Sequence, residues 1–334
     1  MPDLRTTLTE LITGLAMVGH DTVDEALAAR PAAMVSVSPE LWVRLDAAHA
    51  GGAHRDDVDA AWANGRAFLA ARDGLRGRRP LTVEWKGSQR APGDEVAPID
   101  LRIDHVYLVS CKYLSRIVVN ASPARLFDRL LQGAHGARSA DWYEEVAPDE
   151  HHQLYDVVRT GLADPTLPRR VDELSPAERK ALGRRLREGW PAGAGEAYEV
   201  MTDAVARATA ARWRDTIGGR AGQEAMLWRM LRIGSAPYFV LGAGRDGPIR
   251  RRILTPWDWR QRYRLRSLTI EAQAGGQARV GWAAEIDDRV TGADRQVCGH
   301  VEIRWSHGRL AAPPEAKVYL DTPHDDVPGY EPLV

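Results

Sequence analysis

The chain has 334 residues, 44% of them hydrophobic and 27% charged, with a formal net charge of −1. This composition excludes a disordered polyelectrolyte, and the length allows a core that folds without disulfides or a structural metal. No apolar run is long enough for a membrane span, and near-neutrality means that contacts with a polyanion must come from local clusters of cations.

Two cysteines, Cys111 and Cys298, occur without paired or metal-ligand spacing. The start, MPDLRTTLTELITGL, has an early acid and no apolar h-region. Both features lead to the expectation of a cytoplasmic protein with no signal peptide. Only four of the 45 basic residues are lysine: Lys86, Lys112, Lys180 and Lys317. A lysine on a strand is therefore less of an accident here than in most chains.

In chain order, Leu8, Leu11, Leu15 and Val18 recur at helical spacing. Ser38-Pro39-Glu40 predicts a capped helix start, and Asp56 to Leu75 predicts another helix with Val58, Trp62, Phe68 and Leu69 inward. Thr82 to Trp85, Ile99 to Ile103 and Val106 to Tyr113 read as three strands. A loop holding Pro92, Gly93 and Pro98 joins the first two, and a turn at Asp104-His105 joins the last two. Ile117 to Val119 is expected to extend the same sheet, and Ser122-Pro123 to start the helix ARLFDRLL. Residues 140–232 read as helical, with a capping box at Ser175 and Glu178 and a long helix from Glu196 to Thr216. Residues 236–334 are mostly strand: YFVLGAG, SLTIEAQA, ARVGWAAEIDD and HVEIRWSH. The predicted organisation is an N-terminal helical region (1–50), a core (51–135), a helical region (136–232) and a β-rich C-terminal region (233–334), which is an α+β arrangement.

The three central strands carry Glu84, Asp100 and Lys112. Ser110 and Lys112 are two apart and project to one side, so an Asp100 facing them across the hairpin puts a carboxylate and an amine in one pocket. Phosphodiester cleavage needs such a pocket. Carboxylates hold a divalent ion that acidifies water, and a lysine orients the nucleophile or neutralises developing charge.

From Val83 to Phe127 these residues resemble the PD-(D/E)xK nuclease superfamily, in the order helix, three strands, helix. The resemblance implies a restriction-endonuclease-like mixed sheet flanked by helices, Mg²⁺ or Mn²⁺ as cofactor, and a DNA phosphodiester as substrate. The family's aspartate falls on Asp100 and its lysine on Lys112, while Ser110 stands where the acid before the lysine is usual. Glu84 is then the first substitute as second metal ligand, followed by Asp104 and by Asp57 or Asp59. Lys86, and Asn120 and Ser122 at the following helix start, are placed to touch phosphate. The resemblance further implies restriction or phage defence, with a homodimer or a defence-complex partner. A non-catalytic nucleic-acid-binding subunit with a degenerate site stands as the alternative.

Other segments carry competing readings. The run RRRILTPWDWRQRYRLR offers Arg252, Arg260, Arg262 and Arg264 among aromatics, as a nucleic-acid contact or as a surface element with buried rings. His300, Glu302 and Arg304, with His307 beyond, form a polar row that is either a recognition or catalytic face or the wet side of a sheet. Arg184, Arg185 and Arg187 read as a solvated face, and Asp149-Glu150-His151-His152 as a solvated helix start rather than a metal site. Cys111 alternates to the side opposite Ser110 and is expected in the core. GAGRDG at 242–247 reads as a turn, without the strand–helix context of a dinucleotide site.

Overall fold

Apolar spacing and capping residues decide where the first helices lie. In α1 (Leu4–Leu15) the residues Leu8, Leu11, Ile12 and Leu15 are wholly buried. After α2 (Val23–Ala29) and the short strand β1 (Met34–Val35), Ser38 caps α3 (Pro39–Ala50) by accepting from the Leu41 amide. Then follow α4 (Arg55–Ala70) and the strands β2 (Val83–Trp85), β3 (Leu101–Ile103), β4 (Tyr107–Tyr113) and β5 (Ile117–Ala121). A π-helical turn at Arg125–Arg129 leads to α5 (Trp142–Val146), α6 (Pro148–Leu162), α7 (Pro176–Arg185), α8 (Ala194–Ile217) and α9 (Arg220–Leu231). The remaining elements are β6 (Tyr238–Ala243), β7 (Pro248–Ile253), α10 (Pro256–Arg262), β8 (Tyr263–Gln273), β9 (Ala278–Asp288), β10 (Asp294–Arg304), β11 (Glu315–Leu320) and β12 (Tyr330–Pro332). This computed structural model describes residues 4–52, 54–87, 99–113, 116–129, 141–234, 237–244, 247–273 and 275–334. The loop with Pro92, Gly93 and Pro98 and the centre of the 242–247 turn lie outside the described residues.

The fold is α+β, with a mixed sheet flanked by helices and an antiparallel β-rich C-terminal region. It divides into two units that do not follow the four consecutive segments read from the sequence. The first comprises Met1–Arg116, Arg232–Tyr263 and Pro323–Val334; the second comprises Ile117–Leu231 and Arg264–Thr322.

The first unit holds a seven-stranded sheet in the order β1-β2-β3-β4-β6-β7-β12. Strands β2, β3 and β4 form an antiparallel meander, β6 runs parallel to β4, and β7 is antiparallel to β6. Asp104 and His105 both have positive φ, and the Val106 amide bonds to the Ile103 carbonyl. That is a two-residue hairpin turn of the kind whose twist matches the strands it joins. Asp104 also accepts the Leu81 and Thr82 amides, so its carboxylate serves the turn. One sheet face presents Val83, Leu101, Ile103, Val109, Phe239 and Leu241 to the core that α1 and α4 complete. The opposite face carries the charged residues described below.

Gly65 lets α1 and α4 approach closely. A Cβ there would stand 2.2 Å from the Thr13 carbonyl oxygen and 2.6 Å from the Ala16 Cβ. Replacing a helix-interior glycine by alanine ordinarily stabilises by up to about 1 kcal/mol. Gly65→Ala is instead expected to cost about 1–3 kcal/mol through overpacking against backbone. The urea midpoint of the full chain reads this directly, and a raised midpoint would contradict the close approach.

The second unit holds a five-stranded antiparallel sheet in the order β5-β11-β10-β9-β8. Inward residues alternate cleanly: Val280, Trp282, Ala284 and Ile286 on β9, and Val297, Val301 and Ile303 on β10. Gly299 pairs with Trp282, and the indole lies over the space a side chain would fill. A second apolar centre stacks Phe127 on Trp142 (5.5 Å) and edge-on to Trp213 (5.1 Å), with the Trp142 indole N–H donating to Thr209.

Two expectations are corrected here. Ile117 to Val119 does not extend the sheet of Asp100 and Lys112; it pairs with β11 in the other sheet. The strands after residue 233 do not share one sheet: β6, β7 and β12 belong to the first and β8 to β11 to the second. Sheet membership is settled by long-range pairing, which short-range pattern does not encode.

Candidate active site

Strand register fixes which side chains share a surface. Glu84 pairs with Arg102, and Arg102 with Leu108. Side chains alternate along β4, so Leu108, Ser110 and Lys112 share the face that Glu84 and Arg102 occupy. Asp100 lies just before β3, opposite Ser110. Its Oδ2 accepts from the Ser110 hydroxyl at 3.1 Å and from the Cys111 amide at 2.6 Å. A carboxylate holding two such donors is fixed in orientation. Ser110 is wholly buried, with its hydroxyl turned to Asp100.

Glu84 goes elsewhere. Its Oε2 accepts from Arg102 (2.8 Å) and its Oε1 from the Lys86 ammonium (3.2 Å). Partial burial works against its charge, and the Arg102 and Lys86 hydrogen bonds more than offset it, so its carboxyl titrates below the ordinary range. Both oxygens are engaged by cations, which leaves Glu84 poorly suited as a metal ligand. Lys86, with 7% of its side chain exposed, is a buried ion-pair partner and not a phosphate contact. Asp57 is likewise taken, by a two-pronged pair with Arg5 at 2.7 Å, and Asp59 is exposed on α4.

The folded-state pKa of Glu84 is depressed. Its pairing therefore stabilises above the unfolded value near 4.3 and is lost as pH falls through the folded value. Glu84→Gln is expected to flatten the acid side of the stability profile, by under about 1 kcal/mol because the pair is partly solvated. Urea midpoints between pH 3 and 7 test this, and an unchanged acid slope would contradict the pairing.

A second carboxylate near enough to act on the Asp100 charge is Glu10, which the sequence reading missed. It sits on α1, 8% exposed, and accepts the Trp85 indole N–H at 2.7 Å. Burial and then the Asp100 charge push its pKa up to about 8, against the Trp85 hydrogen bond and the Lys112 ammonium. Glu10, Asp100 and Lys112 thus form one electrostatic group. Lys112 also acts on His324, whose pKa burial and the Lys112 charge lower to about 4. An acid among Leu8, Leu11 and Ile12, on the face that α1 buries, was the available signal. Cys111 points to the helix side, where burial pushes its thiol up.

The other expected contacts are dispersed. Asn120 and Ser122 lie in the second unit, Asn120 paired with Lys317 across β5 and β11. The arginine run is largely engaged by its own chain. Arg250 donates to Asn64 (2.9 Å), Arg251 pairs with Asp325, Arg252 lies 3.7 Å from Asp73, and Arg262 pairs with Glu331 (3.2 Å). Arg260 and Arg264 are exposed; Trp259 and Tyr263 are buried, and Trp257 is exposed. Strand alternation on β7 splits the run between two faces. The polar row on β10 is an ion-pair lattice: His300 bonds Asp321 (2.7 Å), and Glu302 pairs with Arg279 (2.9 Å) and Arg304 (3.4 Å).

The second unit contains a cluster that can hold a metal ion: Asp141, Glu144 and His151, each offering a ligand atom within 4.8 Å of the others. His151 is wholly buried, which corrects the expectation of a solvated helix start. Its burial follows from the turn at Ala147, where α5 ends and Pro148 begins α6. Arg179 bonds Asp141 (3.1 Å) and Glu144 (2.8 Å). Burial and Glu144 push Asp141 up to about 6 against Arg179, and burial pushes His151 down to about 3.

No helix among the described residues is long and apolar enough to cross a membrane. No protein-family model, curated protein or solved structure matches the chain.

Proposed function

We propose that this chain is a divalent-metal-dependent nuclease of the PD-(D/E)xK type, hydrolysing DNA phosphodiester bonds. The observation that carries the reading is the electrostatic coupling of buried Glu10, held on α1 by the Trp85 indole, to Lys112 and to Asp100 of the mixed sheet, whose carboxylate the Ser110 hydroxyl and the Cys111 amide fix in place. Asp100 and Glu10 act on each other as like charges that Lys112 only partly offsets, and a divalent cation would relieve the remainder, so the donor set fits Mg²⁺ or Mn²⁺. Asp100 and Glu10 would hold the ion, which supplies Lewis acidity and a more acidic bound water. Lys112 stabilises negative charge developing on the phosphoryl group and orients the attacking water. Ser110 and the Cys111 amide keep Asp100 aimed, and the Trp85 indole keeps Glu10 aimed. The helix-then-meander order of the first unit supports the resemblance.

A nucleic-acid partner gains support from the second unit. Around a cleft of about 470 Å³, Lys180, Arg184 and Arg187 stand beside Trp305 and Arg309. Lys180, Arg184 and Arg187 are exposed and have no acidic partner among the described residues. Unpaired cations next to an indole suit phosphates and bases. Restriction or antiviral defence is the setting the resemblance implies, in a cytoplasmic enzyme acting alone, as a homodimer or with a defence partner.

The test is incubation of the purified full chain with supercoiled plasmid, linear duplex, single-stranded DNA and RNA, in Mg²⁺, in Mn²⁺ and in EDTA. Metal-dependent cleavage of DNA is the expected result. Binding of DNA without cleavage in either metal would instead establish the non-catalytic reading, which the buried Ser110 in the usual acid position favours.

A further inference from the structure

We propose that Asp141, Glu144 and His151 supply three ligands to a binding site for one transition-metal ion of the zinc class, with a fourth position for water, which fastens α5 to α6 in the second unit. The three residues come from one short stretch of chain. Asp141 is the N-cap of α5, its Oδ1 accepting the Tyr143 amide, and Glu144 follows in the first turn on the same side. The chain then reverses at Ala147, and the His151 amide bonds the Ala147 carbonyl, so the first turn of α6 brings the imidazole back to the acids.

An independent observation points to a ligand there. His151 has no exposed surface, and neither ring nitrogen has a hydrogen-bond partner among the described residues. An orphaned buried polar group costs about 1–3 kcal/mol, and natural cores seldom leave one without cause. The Tyr143 and Trp305 rings wall the imidazole in at 5.6 and 6.2 Å, and Tyr143 spends its hydroxyl on the Ile303 carbonyl. No side chain from these neighbours answers the imidazole.

The donor set selects the ion. One imidazole nitrogen with two carboxylates suits Zn²⁺, Co²⁺ or Ni²⁺, whereas Mg²⁺ prefers an all-oxygen shell and keeps several waters. Ligand atoms around a bound zinc lie roughly 3–3.5 Å apart. The cluster, with atoms within 4.8 Å, therefore closes by movements of about an ångström or so. Arg179 takes one oxygen of each acid, Asp141 Oδ2 and Glu144 Oε1. It leaves Glu144 Oε2 for a metal, Asp141 Oδ1 would ligate through the lone pair that the Tyr143 amide does not take, and Arg179 orients both carboxylates as an outer partner. With Asp141 and His151 buried and Glu144 half-buried, the site is largely enclosed, and ligands drawn from both α5 and α6 make it a fastener between them. It is separate from the Glu10–Asp100–Lys112 group and stands or falls independently of it.

The full chain, stripped of metal with a chelator and then dialysed, is titrated with Zn²⁺, Co²⁺ and Mg²⁺ and followed by metal analysis, thermal midpoint and the Co²⁺ visible spectrum. One equivalent of Zn²⁺ per chain, a raised midpoint and a Co²⁺ spectrum with nitrogen ligation are expected, with no comparable effect of Mg²⁺. His151→Gln and the milder Glu144→Gln should each weaken Zn²⁺ binding at least tenfold; Glu144 is part-exposed, so that variant keeps the test valid if the core variant fails to fold. Failure to retain Zn²⁺, or equal retention by the parent and Glu144→Gln, would overturn the proposal and leave Arg179 as the only cation of the cluster.

Discussion

Asp100→Asn is expected to lower metal-dependent plasmid cleavage by about 10²–10³-fold, and Lys112→Ala by a similar factor. Asparagine keeps the shape of the side chain, and its amide oxygen can still accept the Cys111 amide that Asp100 Oδ2 now takes at 2.6 Å. The fold is therefore preserved while the charge that acts on Glu10 is lost. Lys112→Ala removes the ammonium without touching the core, because Lys112 lies on the charged face of the sheet. Glu10→Gln belongs to the same set and should fall as far, whereas Glu84→Gln should cleave like the parent, since Arg102 and Lys86 already engage both of its oxygens. Initial nicking rates in Mg²⁺, with far-ultraviolet circular dichroism as a fold control, decide the matter. Parent-like rates for Asp100→Asn and Lys112→Ala would place any activity elsewhere in the chain.

The second large effect concerns stability. Phe68→Ala should destabilise the first unit by about 3–5 kcal/mol, the usual cost of emptying a buried phenyl site. Phe68 is wholly buried and meets Phe239 at 5.0 Å and Tyr107 at 5.8 Å, both edge-on. It joins α4 to the parallel pair β4 and β6, so its loss strips contacts from the strand that carries Lys112. Chemical denaturation should show the loss in the transition of the first unit. A midpoint shift worth under about 1 kcal/mol would mean that the site collapses around the smaller side chain.

The features that were legible in the sequence are local ones. Ser38 and Ser175 announce helices because a cap is satisfied within three residues, and both accept the predicted amide. The Asp104-His105 turn is legible because two short-chain positions set the hairpin. The meander and its shared face follow from alternation, so Asp100 and Ser110 could be paired from sequence. The rest depended on contacts that no local pattern records. Glu10 looks like an ordinary helical acid until α1 is laid across Trp85. Glu84 looks like a ligand until Arg102 comes opposite it. Asp141 and Glu144 meet His151 only because the chain turns at Ala147. The arginine run reads as one basic patch, yet β7 sends its members to opposite faces, where Asn64, Asp73 and Asp325 receive them.

The interleaving of the two units has a kinetic consequence. Strand β4 ends at Tyr113 and its parallel neighbour β6 begins at Tyr238, so most of the second unit is synthesised between them. The second unit in turn waits for β8 to β11, and the seven-stranded sheet of the first is completed only by β12. Pairings of such separation close slowly, and until they do, β4 presents an open edge on the emerging polypeptide. Maturation is therefore expected to lag behind translation, and nascent chains truncated before residue 330 should depend on chaperones for solubility.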